Sequence, residues 1–238
     1  MRALRSALWL RSALWMGVAA VASAAGPEVT QAAAAWPDSF LSRVEALALL
    51  QTLNAELLSH DSATMTLEHW CGEHHLAASA SVTAQRIGGV DRQADDEQRK
   101  LLQVSPNETV RYRRVRLFCG GVELSEADNW YVPSRLTNEM NAQLDSGEVP
   151  FGKVIRSLHF RRHTISATLL WQPLPPGWEN GAPITFSGSG LLQVPAAVLE
   201  HRALLCLPDG TPISEVVETY SNQVLAFPVP PGSSNSVK

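Results

Sequence analysis

Apolar residues recur at helical spacing between Asp38 and His60. Phe40, Val44, Leu47, Leu50, Leu53 and Leu57 share one face, which predicts a helix with that face buried. Asp38 or Ser39 is placed to accept hydrogen bonds from its first-turn amides. A shorter helix is predicted over "LTNEMNAQLDSG", with Thr137 as N-cap and Gly147 as the stop. "PFGKVIRSL" begins a further helical turn. Elsewhere the pattern is that of strands between tight turns: "TVRYRRVRLF", "GGVELSEADNWYVP", "RRHTISATLLWQPL", "VLEHRALLCL" and "DGTPISEVVETYSN", with a small-residue, β-tolerant stretch from Ala77 to Arg86. "DRQADDEQRK" has almost no apolar content and is expected to be a surface loop. Few, clustered helices among many strands predict an α+β fold built on a single, mostly antiparallel sheet with helices packed at one side.

Two stretches share a layout. "RRVRLFCGGVELSEADNWY" and "HRALLCLPDGTPISEVVETY" each open on a basic residue followed by arginine (Arg113-Arg114; His201-Arg202). Each continues as an apolar strand, a glycine turn, and a second strand that begins Ser-Glu and ends in tyrosine (Tyr131; Tyr220). The unit is a β-hairpin, and two pseudo-repeated hairpins can form the halves of one sheet. The repeat sets Asn129 in the place of Glu218.

Period-two alternation puts Val110, Tyr112, Arg114, Arg116 and Phe118 on one face, so that two arginines lie on an otherwise apolar surface. A buried arginine needs an anionic partner, because an uncompensated buried charge costs several kcal/mol. The partner is either a protein carboxylate such as Glu218 or the carboxylate of a ligand. On the neighbouring strand, Glu126 and Asp128 are expected to pair with Arg111, Arg113 or Arg116, worth roughly 0.2–1 kcal/mol per pair.

The 238 residues, 45% of them hydrophobic, suffice for one large domain or two small ones. Net charge is −4 with no long basic run, which argues against a nucleic-acid partner. The N-terminus carries Arg2, Arg5 and Arg11, then an apolar run from Ala13 to Val21, then Ala22-Ser23-Ala24, the pattern of a cleaved signal peptide. The expected organisation is a signal peptide over 1–24, a linker over 25–37, a domain over 38–227 and a disordered proline- and serine-rich tail over 228–238. The implied location is periplasmic or secreted, with no stable membrane span after cleavage. Export permits a disulfide; Cys71, Cys119 and Cys206 leave at least one thiol unpaired, and the pairing is open.

Four local patterns resemble the chorismate pyruvate-lyase family in the family's chain order. "TMTLEHW" is similar to its Met-Thr segment and places Met65. "YRRVRLFCGG" is similar to its arginine-bearing strand and places Arg114. "VPFGKVI" is similar to its Pro-Leu-Gly-Arg turn and places Phe151, with Phe151 for leucine and Lys153 for arginine. "VVETYSN" is similar to its late glutamate strand and places Glu218; a slip of one residue in register turns the opposite face inward, and Glu215 is then a candidate for the pocket acid. The resemblance implies a chorismate lyase-like fold around a small ligand site. It implies that Arg114 and the Phe151 backbone hold a carboxylate, that Glu218 acts as acid, and that Met65 packs on the ring. The implied reaction removes pyruvate from chorismate or a related cyclic carboxylic acid to leave a 4-hydroxybenzoate-type product, without cofactor or metal. The alternative is a non-catalytic periplasmic binding domain for a small aromatic carboxylate.

Other chemistry finds little footing. "EHWCGEHH" gathers His69, Cys71, His74 and His75, but the spacing matches no defined metal site and a solvated loop is expected. No nucleophile elbow or phosphate loop occurs; "GSG" at 188–190 is read as a turn and "NET" at Asn107 as a chance glycosylation triplet.

Overall fold

The computed structural model describes residues 36–89, 91–186 and 190–228. The expected signal peptide, nearly all of the linker and all but Pro228 of the tail lie outside them, as does most of the "GSG" turn. Trp36 and Pro37, at the end of the expected linker, belong to the packed unit: the Trp36 indole donates to the Phe227 carbonyl (3.3 Å), and Pro37 bridges to Leu191.

The long helix α1 (Phe40–Ser59) is capped by the Ser39 hydroxyl, which accepts from the Ser42 N–H at 3.1 Å. Ala46, Leu50, Leu53 and Leu57 are fully buried, whereas Phe40 turns outward beside Trp178. Two further helices form where loops were expected. α2 (Ala63–Glu73) runs through "EHWCGEHH" as far as Glu73. Ser62 caps it, and Leu67, Trp70 and Cys71 form a buried stripe while His69 and Glu73 stay in solvent. α3 (Asp96–Leu101) forms in the charged segment through a reciprocal capping box between Asp95 and Gln98. Local hydrogen bonding substitutes there for an apolar face.

The six strands are β1 (Val82–Arg86), β2 (Arg111–Cys119), β3 (Val122–Tyr131), β4 (Arg161–Leu169), β5 (Ala197–Cys206) and β6 (Pro212–Ser221). They form one antiparallel sheet in the order β1-β2-β3-β6-β5-β4. The fold is α+β, and the two expected hairpins, β2–β3 and β5–β6, meet along β3 and β6. Ser125 faces Tyr220, Tyr131 faces Ser214, and the pairing centres on Asp128 and Val217. Both hairpins therefore enter the shared seam in the same register, related by a local two-fold.

α1 and α2 cover one face of the sheet, joined there by α4 (Asn138–Ser146) and the short α5 (Phe151–Val154), which pack on Tyr131 and Leu205. Thr137 caps α4 and Gly147 ends it in the left-handed region (φ 83°), which glycine adopts without strain. α3 departs from the expected one-sided arrangement: Glu97 pairs with Arg202, and Leu102 packs with Trp130 and Val132 on the opposite face.

The face assignment of β2 is the reverse of the expectation. Arg113, Val115, Leu117 and Cys119 are buried beneath the helices, while Arg114, Arg116 and Phe118 face the other way. Each face carries two arginines and three apolar or aromatic residues, so alternation alone could not choose. The partners choose: Glu126 and Asp128 of β3 stand opposite Arg116 and Arg114, and the outer face is the charged one.

A disulfide joins Cys71 of α2 to Cys119 at the end of β2, with Cα atoms 6.5 Å apart and a sequence separation of 48. Cys206 is a buried free thiol. The double variant Cys71→Ser/Cys119→Ser is expected to lose roughly 2–4 kcal/mol of unfolding free energy through the freed loop. Urea titration of the variant, beside wild type with and without reductant, checks this: reductant should bring wild type down to the variant's level and leave the variant unchanged.

Candidate ligand-binding cavity

A cavity of about 40 Å³ opens between α2, α5 and the helix-covered face of the sheet. Its polar wall includes Asp61, Thr64, Arg113, Asn129, Arg162 and Glu218, and its floor is made by Val115, Leu117, Ala127 and Val216. Phe151 and Gly152 close one side. Gly152 must be small there, since a Cβ would sit 3.1 Å from the Ser62 hydroxyl and 3.2 Å from that of Thr64.

Arg113 is the unusual member. It is 2% exposed, and one guanidinium nitrogen, Nη2, donates to the carbonyls of Val149 (2.8 Å) and Gly147 (3.3 Å). Nε and Nη1 are buried without a hydrogen-bond partner, and Arg113 forms no ion pair among the described residues. Burial pushes its pKa down to about 10; Tyr131 opposes that shift and nearby Arg86 adds to it. The group stays charged at neutral pH, at a cost of roughly 3 kcal/mol relative to a solvated guanidinium.

The second buried arginine is matched. Arg162 Nη2 lies 2.6 Å from Glu218 Oε2, and the Tyr220 hydroxyl donates to the same oxygen at 3.2 Å. Burial works against the charge of Arg162, but the Glu218 carboxylate outweighs it and holds the guanidinium protonated. Arg162 Nε has no hydrogen-bond partner among the described residues. The backbone N–H of Arg162 is taken by Asp61 at the start of α2 (2.9 Å). His201, directly across from Glu218 on β5, is fully buried, with Nε2 2.8 Å from the Asn54 side-chain oxygen and Nδ1 unpartnered. Burial, then Arg162, push its pKa down to about 4 against the opposing pull of Glu218. Its imidazole is neutral at pH 7.

Of the residues singled out in the sequence, Glu218 and Phe151 line the cavity. Phe151 opens α5, so its N–H is a first-turn amide with no acceptor inside the helix. Arg114 is on the outer face, where its guanidinium pairs with Glu126 through Nη2 and through Nε (2.6 Å), and lies 3.7 Å from Asp128. Met65 is exposed on the far side of α2, and its neighbour Thr64 reaches the cavity instead. Glu215 lies on the outer face, buried against Arg202 at 2.7 Å. Sequence reasoning missed Arg113 because the adjacent Arg114 fits the same motif one residue later, and missed Arg162 because "RRHT" gives no sign of which arginine turns inward.

Glu56, His69 and Glu73 bring one ligand atom each within 4.8 Å of one another. None of the three lines the cavity, and His69 and Glu73 form an ordinary exposed pair one helical turn apart (3.1 Å). The arrangement is one that can hold an anion: fixed guanidinium donors in a low-dielectric space suit a carboxylate.

Two contrasts test this electrostatic layout. Arg113→Met should leave the ligand-free protein as stable or more stable, because it removes an unpaired buried charge, whereas Glu218→Ala should cost roughly 3–5 kcal/mol by stranding Arg162. Thermal and denaturant unfolding of both variants decide it. His201 sets a pH dependence. The unfolded imidazole takes up a proton near 6.5 but the folded one only near 4, so stability should fall as pH drops from about 6.5 to about 4 and level off below. The loss is at most about 3 kcal/mol, read as the difference between wild type and His201→Asn across that range.

No protein-family model matches the chain. Solved structures to which it is similar include PhnF from Mycobacterium smegmatis, at 16% identity over 71% of this chain and 68% of that one with a TM-score of 0.46. The effector domain of the same PhnF matches at 15% identity over 68% and 88%, TM-score 0.44. A GntR-family transcriptional regulator from Enterococcus faecalis matches at 12% identity over 61% and 98%, TM-score 0.37. In sequence, the chain is 56% identical over 196 residues to the uncharacterized protein y4mC of Sinorhizobium fredii, spanning 82% of this chain and 83% of the relative. Identity of that extent over most of both chains places this protein in one family with y4mC.

Proposed function

We propose that this protein is an exported binding protein for a small organic carboxylate, whose anionic end sits on Arg113. The carrying observation is the buried guanidinium with two unsatisfied nitrogens on the cavity wall. A carboxylate there supplies the missing countercharge and accepts from a free N–H of Arg113. The apolar floor takes the hydrocarbon part. The enclosed space is well below the ~150 Å³ that holds a benzene ring, so an aromatic ligand enters only as α5 and Phe151 move outward.

Export is supported by the arginine-apolar-small pattern of residues 1–24 and by the Cys71–Cys119 bridge, since such bridges persist in oxidising compartments. Removal of pyruvate from chorismate needs a proton donor. Glu218 Oε2 is occupied as an acceptor from both Arg162 and Tyr220, so this carboxyl is already committed to an internal ion pair. Binding without turnover is therefore the reading adopted.

The test uses the oxidised protein with acetate, pyruvate, benzoate, 4-hydroxybenzoate and chorismate, read by thermal shift and calorimetry, with absorbance following product from chorismate. At least one carboxylate should bind and raise the Tm. A ligand at a hundred times its Kd adds about 2.7 kcal/mol. The effect should vanish in Arg113→Met although that variant remains folded. A shift that survives in Arg113→Met, or no shift with any of the five, overturns the proposal. Formation of 4-hydroxybenzoate would restore the lyase.

A further inference from the structure

Arg113 also borders a second space. A cleft of about 480 Å³ lies between the start of β2 and the C-terminal end of α4, lined by Arg86, Arg111, Arg113, Tyr131, Asp91 and Asp145. The three arginines share one face of the sheet: Arg86 stands opposite Val115, Arg111 opposite Tyr131 and Arg113 opposite Asn129. Gly147 fixes the junction. Its carbonyl accepts from Arg113 Nη2 (3.3 Å), and the Arg86 stem packs so closely on it that a Cβ at Gly147 would come within 2.9 Å of the Arg86 Cβ.

The charges in this cleft are poorly matched. Arg86 forms no ion pair or side-chain hydrogen bond among the described residues and acts unfavourably on Arg113. Arg111 meets Asp145 at 3.3 Å, but both side chains are about half exposed (47% and 57%), so the pair is weak and easily exchanged for another anion. Asp91 is the remaining acid. Three cations, one of them buried with unsatisfied nitrogens, thus face two acids in a polar opening on the other side of the guanidinium that walls the inner cavity.

We propose that this cleft is a second anion subsite, so that the ligand carries two anionic groups, one in the inner cavity and one in the cleft against Arg86 and Arg111, with Arg113 between them. This rests on the reading of the inner cavity as a carboxylate site and adds the class of ligand: a dicarboxylate, or a carboxylate that also bears phosphate. The second group exchanges the weak Arg111–Asp145 contact for charge-assisted hydrogen bonds to two guanidinium groups.

Matched pairs of probes test it on the full oxidised protein by calorimetry: benzoate against isophthalate, butyrate against glutarate, and valerate against adipate, with phosphoglycolate against acetate as the phosphate arm. At least one dianion should bind roughly tenfold or more tighter than its monoanion, as expected of added charge-assisted contacts. That ratio should fall to near one in Arg86→Gln/Arg111→Gln. Monoanions that bind in an Arg113-dependent way, with dianions no tighter, overturn the second subsite and leave the first standing. A preference that persists in the double variant also overturns it. Binding of neither kind to the wild type removes both readings together.

Discussion

The pairing of β3 with β6 is the constraint on which the rest of the site depends. These two strands belong to different hairpins, and only their seam brings the hairpins into one sheet. Because the seam centres on Asp128 and Val217, it sets Asn129 and Glu218 at equivalent places about the local two-fold. Their outer partners follow in the same way: Arg113 stands across from Asn129, and His201 across from Glu218. A slip of one residue at this seam would turn Arg113 and Asn129 to the face opposite Glu218 and His201.

The two halves are alike in backbone and unlike in charge, and that difference makes the cavity what it is. In the second half an acid occupies the central position and is matched by Arg162 from the edge strand β4. In the first half the same position is an amide, and Asn129 uses its oxygen to accept from Ser214 (3.1 Å). Among the described residues Arg113 consequently has no countercharge. One half neutralises itself, and the other keeps a buried charge without an ion-pair partner among those residues.

Much of this was legible in the sequence, and the gaps have physical causes. The hairpins, their shared register, α1, α4 and the α+β class all follow from periodicity and turn chemistry, because each has a strong local signal. α3 was hidden because a capping box, not an apolar stripe, holds it, and α2 because its histidines and acids obscured the stripe of Leu67, Trp70 and Cys71. Of the residues singled out in the sequence, Glu218 and Phe151 line the cavity. Arg113 was not assigned to it, since the two faces of β2 have the same make-up and the outcome rests on Glu126 and Asp128 drawing Arg114 and Arg116 to the other side. The same acids answer why one strand should carry Glu126, Asp128 and Asn129 together: the first two balance the outer face, and the third leaves the inner one open.

The Cys71–Cys119 bridge has a consequence in time as well as in space. Both cysteines precede β4, β5 and β6 in the chain, so synthesis delivers them, with α2 and β2, before the strands that bear Arg162, His201 and Glu218. The wall that carries the unanswered charge can thus be riveted first, and the self-neutralised wall is assembled against it. In the order of the chain, the thiol pair that forms the bridge lies ahead of the strands that close the space Arg113 faces.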